Sequence, residues 1–177
     1  RIAVNISARQ MADKGLVNFI VDTMTRTGLT AASLELEITE SAVMSNQDHA
    51  EKVLNQLKAL GIHLTMDDFG TGYSSLAHLR DLPVAAVKLD RAFIKSIHED
   101  ASALAVVRAA IDMAHALGKS VVAEGVELTE QVVLLSQMGC DIMQGYHLSA
   151  PVPADQFVAL VRQCAAAVPL PLQMHRR

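Results

Sequence analysis

Polar side chains follow six short apolar segments of this sequence, each of which has the composition of a β-strand. Most of them are carboxylates, and the full set is Asn5, Glu37 with Glu40, Asp67 with Asp68, Lys88 with Asp90, Glu124 with Glu127, and Gln144. Carboxylates that are packed together repel one another unless cations neutralise them. Because the set has oxygen ligands but no His or Cys, it favours a hard divalent cation such as Mg²⁺, Mn²⁺ or Ca²⁺. Any one of these residues could be an ordinary loop residue, but the recurrence at six strand ends argues against chance placement.

The adjacent carboxylates Asp67 and Asp68 are the most informative pair in the set. Neighbouring side chains at a strand end point to different sides, so one can bridge two ions while the other binds only one. Two metal ions about 4 Å apart form a phosphoryl-transfer centre, in which one activates water and the other stabilises the leaving oxygen. Residues 69–75 follow as Phe-Gly-Thr-Gly-Tyr-Ser-Ser, whose glycines permit a tight loop. The sequence contains no complete Gly-x-x-x-x-Gly-Lys-Ser/Thr motif, because Met113 stands where the first glycine would precede Gly118-Lys119-Ser120, and this excludes a P-loop nucleotidase.

Lys88 is the basic member of the set, and two roles are open to it. It can supply a point charge for a phosphate group or for an attacking water. Alternatively, it simply pairs with Asp90, two residues further along the chain.

The six apolar segments alternate with helical patterns, at roughly 30 residues for each βα unit. They cover residues 2–6, 34–39, 63–67, 85–89, 120–123 and 141–144. Helix signals between them include a capping box formed by Ser7 and Gln10, a stop at Gly61 and a start at Pro153. Two α/β architectures fit: a doubly wound parallel sheet, and a (β/α)₈ TIM-type barrel of about 250 residues. The repeat length favours a barrel fragment of about six βα units, whose strand ends would converge on one mouth.

Composition narrows the class of protein further. Apolar residues make up 51% of the 177 residues, which is enough to bury a core. Aromatic residues make up 3% and the formal charge is −4, which argues against binding to a DNA or RNA polymer. No apolar run approaches the ~20 residues of a membrane span. Two cysteines form no disulfide framework, which fits a reducing cytoplasm.

Residues 1–166 are expected to form the domain and residues 167–177 a tail.

Six motifs occur in order along the chain and carry a family resemblance. They are VNIS at 4–7, ELEITES at 35–41, DDFGTGYSSL at 67–76, VKLD at 87–90, VAEGVE at 122–127 and QGY at 144–146. Over residues 1 to about 160 the sequence resembles the EAL-domain family, the cyclic di-GMP phosphodiesterases of bacterial second-messenger signalling. The resemblance implies a (β/α)₈ barrel that hydrolyses cyclic di-GMP to linear pGpG with two Mg²⁺ or Mn²⁺ ions.

The resemblance also assigns roles to the strand-end residues. The implied metal ligands are Asn5, Glu37, Asp67, Asp68 and Glu124, with Asp67 as the bridge and Glu124 alternatively as a general base. Lys88 would orient the water or the phosphate. Gln144 would line the substrate site, and Glu127 would border it and hold the loop after Glu124. Glu40 would anchor the loop after Asp68, and Asp90 would support the site without touching metal.

Two departures from the family pattern leave alternatives open. The Glu-Ala-Leu motif is absent, so we expect an excised piece of a longer polypeptide, with an upstream sensory or GGDEF-type domain and a parent that dimerises. Ala150 stands before Pro151, where the family commonly has a basic residue. Because the missing segment would carry one metal carboxylate and part of the guanine pocket, the isolated fragment is expected to be inactive. Because six βα units cannot close a barrel, it is also expected to associate through its open edges. The competing function is a non-catalytic cyclic di-GMP sensor or interaction module of the same fold.

Overall fold

The computed structural model describes residues 1–70 and 76–167, with side chains described through residue 70 and from 79 to 162. Within these ranges the centre of the molecule is a six-stranded sheet in the order β1-β2-β3-β4-β5-β6, and every neighbouring pair is parallel. The strands are β1 Ile2–Ile6, β2 Leu34–Thr39, β3 His63–Phe69, β4 Ala86–Leu89, β5 Ser120–Ala123 and β6 Ile142–Met143.

Helices lie between the strands and cover the sheet. They are α1 Ala8–Met11, α2 Leu16–Thr27, α3 Glu40–Met44, α4 Gln47–Ala59, α5 Leu76–Asp81, α6 Arg91–Ile94, α7 Ala101–Ala116, α8 Thr129–Gln137 and α9 Ala154–Ala167, with a 3₁₀ turn at Ala31–Ser33. The predicted capping box is confirmed, because the Gln10 N–H donates to Ser7 Oγ and the Ser7 N–H donates to Gln10 Oε1. Across the described ranges, each helix falls short of the length and apolar character that a membrane span requires.

The burial of β2 shows how the sheet separates core from site. Leu34, Leu36 and Ile38 are buried in the core, whereas the alternate residues from Glu35 to Thr39 are only partly buried. Since side chains alternate across a strand, the leucines and the isoleucine pack in the core beneath the helices and the glutamates share the opposite face. This alternation therefore places Glu37 on the face that carries the polar strand-end residues.

The strand order distinguishes the two architectures left open by the sequence. A doubly wound sheet reverses its strand order at a switch point, whereas these six strands follow one another without reversal. The sheet is thus a consecutive βα arc of the kind found in a TIM-type barrel. Its edge strands carry exposed apolar side chains, with Ile2 59% and Ile142 50% exposed.

Element boundaries differ from the predicted ones at several places. β3 continues two residues beyond the predicted end at residue 67, through a register shift between Met66 and Phe69. β6 is shorter than predicted, since it covers only Ile142–Met143. Residues 71–75 and 168–177, which include most of the predicted loop and tail, lie outside the described residues.

Candidate active site

Lys88 lies at the centre of the polar strand ends. Its side chain is 6% exposed, and Nζ lies 2.6 Å from Glu124 Oε1, 2.9 Å from Glu37 Oε1 and 3.5 Å from Asp67 Oδ1. These carboxylates come from the ends of β2 and β3 and from the residue that follows β5, while Lys88 itself lies in β4. Four chain segments that are far apart in sequence therefore meet at one buried ammonium group.

The parallel register explains why these residues meet. Asn5 pairs with Glu37 between β1 and β2, and Lys88 pairs with Val122 between β4 and β5. Because all six strands run in the same direction, their carboxyl ends lie along one rim of the sheet. The rim also receives Gln144 after β6, whose N–H donates to the Ala123 carbonyl at 2.8 Å.

Electrostatics keeps Lys88 charged despite its burial. Burial alone would lower the pKa of Lys88, but hydrogen bonds to Glu124 and Glu37, together with the charges of Glu124 and Asp67, raise that pKa above its ordinary value. The alternative pairing with Asp90 is not what the structure shows, because the Asp90 side chain accepts the Ala92 N–H at 2.7 Å and caps α6. Asp90 thereby fixes the segment that directly follows Lys88 and β4.

Asp67 and Asp68 sit where β3 departs from regular pairing with β4. Asp68 has a φ of 56°, and its N–H donates to Asp67 Oδ1 at 3.0 Å. Burial raises the pKa of the Asp68 carboxyl, the nearby charges of Asp67 and Asp90 raise it further, and Lys88 opposes them. Like charges are therefore concentrated at this bulge, a type of irregularity that is common beside active sites.

Glu40 is set apart from the carboxylates around Lys88. It is the first residue of α3, is 6% exposed, and follows Thr39, whose side chain caps the helix. Among the described residues, its buried Oε2 atom has no hydrogen-bond partner. The predicted partners fall mostly in residues 71–75, which lie outside the described ranges, so the loop-anchoring role of Glu40 stays a prediction.

Glu127 is placed beside α6 and not among the carboxylates that contact Lys88. Its Oε1 lies 2.8 Å from Arg91 Nη2, and the Glu127 N–H donates to the side chain of Gln131. Arg91 and Gln131 were not predicted from the sequence. A Gln at the third position of a helix is a capping signal, but here Leu128 occupies the cap position where Ser or Thr would have made the pattern recognisable.

The donor set is compatible with a hard divalent cation. Glu37, Asp67 and Glu124 contact one ammonium, Asp68 adjoins Asp67, and Asn5 pairs in register with Glu37. Within the described residues, no three His, Cys, Asp or Glu side chains form a ready-made metal cage, since Lys88 lies between the carboxylates. Oxygen ligands with mutual repulsion nonetheless match what Mg²⁺ or Mn²⁺ requires.

Comparison with known proteins gives a consistent result. The model of the EAL domain family matches residues 1–151. The cyclic di-GMP phosphodiesterase NbdA of Pseudomonas aeruginosa is 44% identical over 169 residues, which cover 94% of this chain and 22% of NbdA. The bifunctional diguanylate cyclase/cyclic di-GMP phosphodiesterase MucR of the same organism is 42% identical over 160 residues, 90% of this chain and 23% of MucR. The chain thus spans less than a quarter of the length of these curated relatives.

Solved structures show the same similarity. The PaMucR phosphodiesterase in its c-di-GMP complex has a TM-score of 0.85 at 42% identity, covering 89% of this chain and 64% of that one. The manganese/cy-diGMP complex of Klebsiella pneumoniae BlrP1 has a TM-score of 0.78 at 32% identity, covering 85% of this chain and 39% of that one.

Proposed function

The chain belongs to the EAL domain family, and on that basis we propose that the protein containing it hydrolyses cyclic di-GMP to linear pGpG. The observation that carries this proposal is the contact of one buried ammonium, Lys88, with Glu37, Asp67 and Glu124. Relatives named as cyclic di-GMP phosphodiesterases, and a solved PaMucR c-di-GMP complex, support the choice of substrate.

Two Mg²⁺ or Mn²⁺ ions are the cofactors that the site favours. We assign Asn5, Glu37, Asp67, Asp68 and Glu124 as the residues that would hold them, with Asp67 shared. When bound, such ions supply an activated water and neutralise charge on the phosphodiester. A manganese complex of the relative BlrP1 supports this choice of ion type.

The chain's own side chains have separate tasks in this proposal. Lys88 keeps its proton and directs its positive charge at the phosphate or the attacking water. If it does not hold a metal ion, Glu124, which lies 2.6 Å from Lys88, would instead take a proton from that water as a general base. Gln144 lines the substrate site, and Asp90 supports it by capping α6. Glu127 borders the site and, through Arg91, holds the segment after Glu124.

Partners of the whole protein follow from the same family membership. Cyclic di-GMP is the proposed ligand, and an upstream sensory or GGDEF-type domain is proposed because MucR is bifunctional. We also propose a homodimer of the full-length protein, in the bacterial cytoplasm. The isolated 177-residue chain is proposed to be inactive and associated, because the β1 and β6 edges expose apolar side chains such as Ile2 and Ile142.

The decisive experiment measures conversion of cyclic di-GMP to pGpG by the full-length protein with Mg²⁺ or Mn²⁺. Asp67→Ala should lower the rate by at least ~10³, because it removes a major electrostatic stabiliser. Asp112→Ala is the matched control, since Asp112 lies exposed on α7. Near-normal turnover in Asp67→Ala would contradict the site. Binding of cyclic di-GMP by the wild-type protein without turnover would instead identify a sensor.

A further inference from the structure

The segment that follows Glu124 is held by a buried side-chain amide. Residues 125–128 form neither helix nor strand. Gln131, in the first turn of α8, is 2% exposed, and its Oε1 accepts the N–H groups of Glu127 at 2.8 Å and Leu128 at 3.0 Å. Two successive backbone N–H groups, three and four residues after Glu124, are therefore held by one oxygen atom.

The same amide reaches across to another element. Gln131 Nε2 donates to the carbonyls of Ile94 at 3.2 Å and Lys95 at 3.3 Å, at the end of α6. A side-chain amide has two donors and two acceptor lone pairs, so these four hydrogen bonds use its full capacity. Helix α6 begins directly after Lys88-Leu89-Asp90, so Gln131 joins the segment after β5 to the segment after β4.

Arg91 provides a second connection between the same two segments. Its Nη2 lies 2.8 Å from Glu127 Oε1, and its aliphatic carbons lie against Gly125. A Cβ atom on Gly125 would approach Arg91 Cγ and Cβ to 2.3 and 2.6 Å, and Gly125 also has a φ of +66°. The close approach and the backbone conformation therefore both require glycine at the residue after Glu124.

These contacts are polar and border an open space on one side. A cleft of about 490 Å³ opens beside them, lined by Arg91, Lys95, His98, Glu127 and Gln131 among others. The cleft leaves Glu127 and Leu128 without close packing on that side, so the hydrogen bonds of Gln131 hold these two residues, whereas the buried Val126 is held by backbone hydrogen bonds with Gln144 and His147. A fully satisfied buried polar network of this kind fixes a single local arrangement.

We propose that Gln131 is a positioning residue that keeps Glu124 in place against Lys88 by fixing segment 125–128 to α6. It touches neither substrate nor the reacting atoms, and it acts through the backbone of the segment that follows Glu124. The 2.6 Å contact between Lys88 and Glu124 joins the end of β4 to the residue after β5. The Gln131 amide connects the segments that follow the same two strands, a few residues further along the chain. The consequence for catalysis rests on the proposed phosphodiesterase function.

The test uses Gln131→Met and Gln131→Glu in the full-length protein, with Gln137→Glu on the exposed end of α8 as control. Gln131→Met should lower kcat for cyclic di-GMP about 10- to 100-fold and change KM less than about threefold, because position and not binding is lost. Gln131→Glu keeps the acceptor but places a charge against two carbonyls. Its kcat relative to wild type should rise several-fold as the pH falls and the carboxyl group regains a proton to donate.

Wild-type kcat in both variants would overturn the proposal, as would a relative kcat of Gln131→Glu that does not change with pH. Hydrogen exchange separates this proposal from the enzymatic one. The amides of Glu127 and Leu128 should exchange at least ~10-fold faster in Gln131→Met, and at the wild-type rate in Gln137→Glu. This result would support the connection even if the wild-type protein hydrolysed nothing, and unchanged exchange would refute it.

Discussion

Two lysines at opposite ends of the sheet are equally buried and electrostatically opposite. Lys88, near the carboxyl ends of the strands, is 5% exposed, and Lys119, just before β5, is 6% exposed. Lys88 contacts three carboxylates, whereas Lys119 Nζ donates to the carbonyls of Leu82 and Val84, both at 3.0 Å. The pKa of Lys88 is raised, while burial and the charge of Lys58 lower the pKa of Lys119.

The difference shows that the partners, and not the depth of burial, decide what a buried lysine does. Backbone carbonyls satisfy the ammonium of Lys119 but do not neutralise it, so its charge remains costly. The carboxylates around Lys88 neutralise it, and it in turn keeps them close together. One rim of the sheet accordingly carries neutralised charges close together, and the other carries a lysine bound only by backbone carbonyls.

Among the variants that test the difference between the two lysines, Lys88→Met should have the largest effect. The substitution removes the charge that we propose acts on the phosphate, and it leaves Glu37, Asp67 and Glu124 without their shared partner. We expect cyclic di-GMP hydrolysis by the full-length protein to fall at least ~10³-fold. Lys119→Met should retain activity within about threefold at a temperature where it is folded. Equal losses of activity in the two variants would invalidate the contrast.

Lys119→Met should instead lower stability, by about 2 kcal/mol, because two buried carbonyls lose their donor. In the interval between the lowered pKa of Lys119 and its ordinary value of 10.5, the unfolded chain binds more protons than the folded one. The free energy of unfolding of the wild-type protein should therefore rise with pH in that interval, and that of the variant should lack this rise. Urea unfolding of both proteins from pH 7 to pH 10 measures the slope, and parallel curves would disprove this assignment.

Glu40→Gln tests a second buried group near the carboxyl ends of the strands, whose Oε2 atom has no hydrogen-bond partner among the described residues. If Glu40 orders the loop after Asp68 and binds no ion, activity should fall about 10-fold, or roughly 1.4 kcal/mol in the barrier. Calorimetric titration with Mn²⁺ should still detect metal binding. A complete loss of binding would mean that Glu40 is itself a ligand.

Asp141→Asn should give the smallest effect, on the opposite rim. Burial tends to raise the pKa of Asp141, but hydrogen bonds from His115 and from the Val121 N–H, each 2.8 Å long, lower it overall. Its contribution is therefore present above the ordinary pKa and is lost as the pH falls through the folded-state value. Because the carboxylate is 40% exposed, we expect about 1 kcal/mol at pH 7. A stability difference that persists undiminished at pH 2 would contradict this explanation.

Much of the fold could be predicted because apolar strands recur at a regular interval. The bounds of β1, β2 and β5 are confirmed, and the strand ends predicted the rim on which Glu37, Asp67 and Glu124 meet. The bulge in β3 was not predicted, because the alternation of apolar and polar residues along a strand does not reveal a register shift with its neighbour. Helices α3 and α6 were missed, since four or five residues are too few to show an apolar period.

The site was predicted as a set of residues and not as a set of contacts. That Lys88 contacts three carboxylates and leaves Asp90 to cap α6 depends on strand register, which residue types alone do not determine. Gln131 was missed for a related reason. Its hydrogen bonds to Ile94 and Lys95 cross 36 or 37 positions of sequence and involve backbone atoms, which leave no trace in side-chain composition.

The left-handed backbone of Asp68 sets function against stability at a single residue. A residue with a Cβ atom at a φ of 56° destabilises the folded state by about 1 kcal/mol relative to glycine, and local hydrogen bonds of its side chain reduce this amount. Asp68→Gly would relieve that strain and the repulsion from Asp67 and Asp90, while removing a proposed metal ligand. The left-handed φ therefore places selection for a proposed metal ligand and selection against backbone strain in opposition at residue 68.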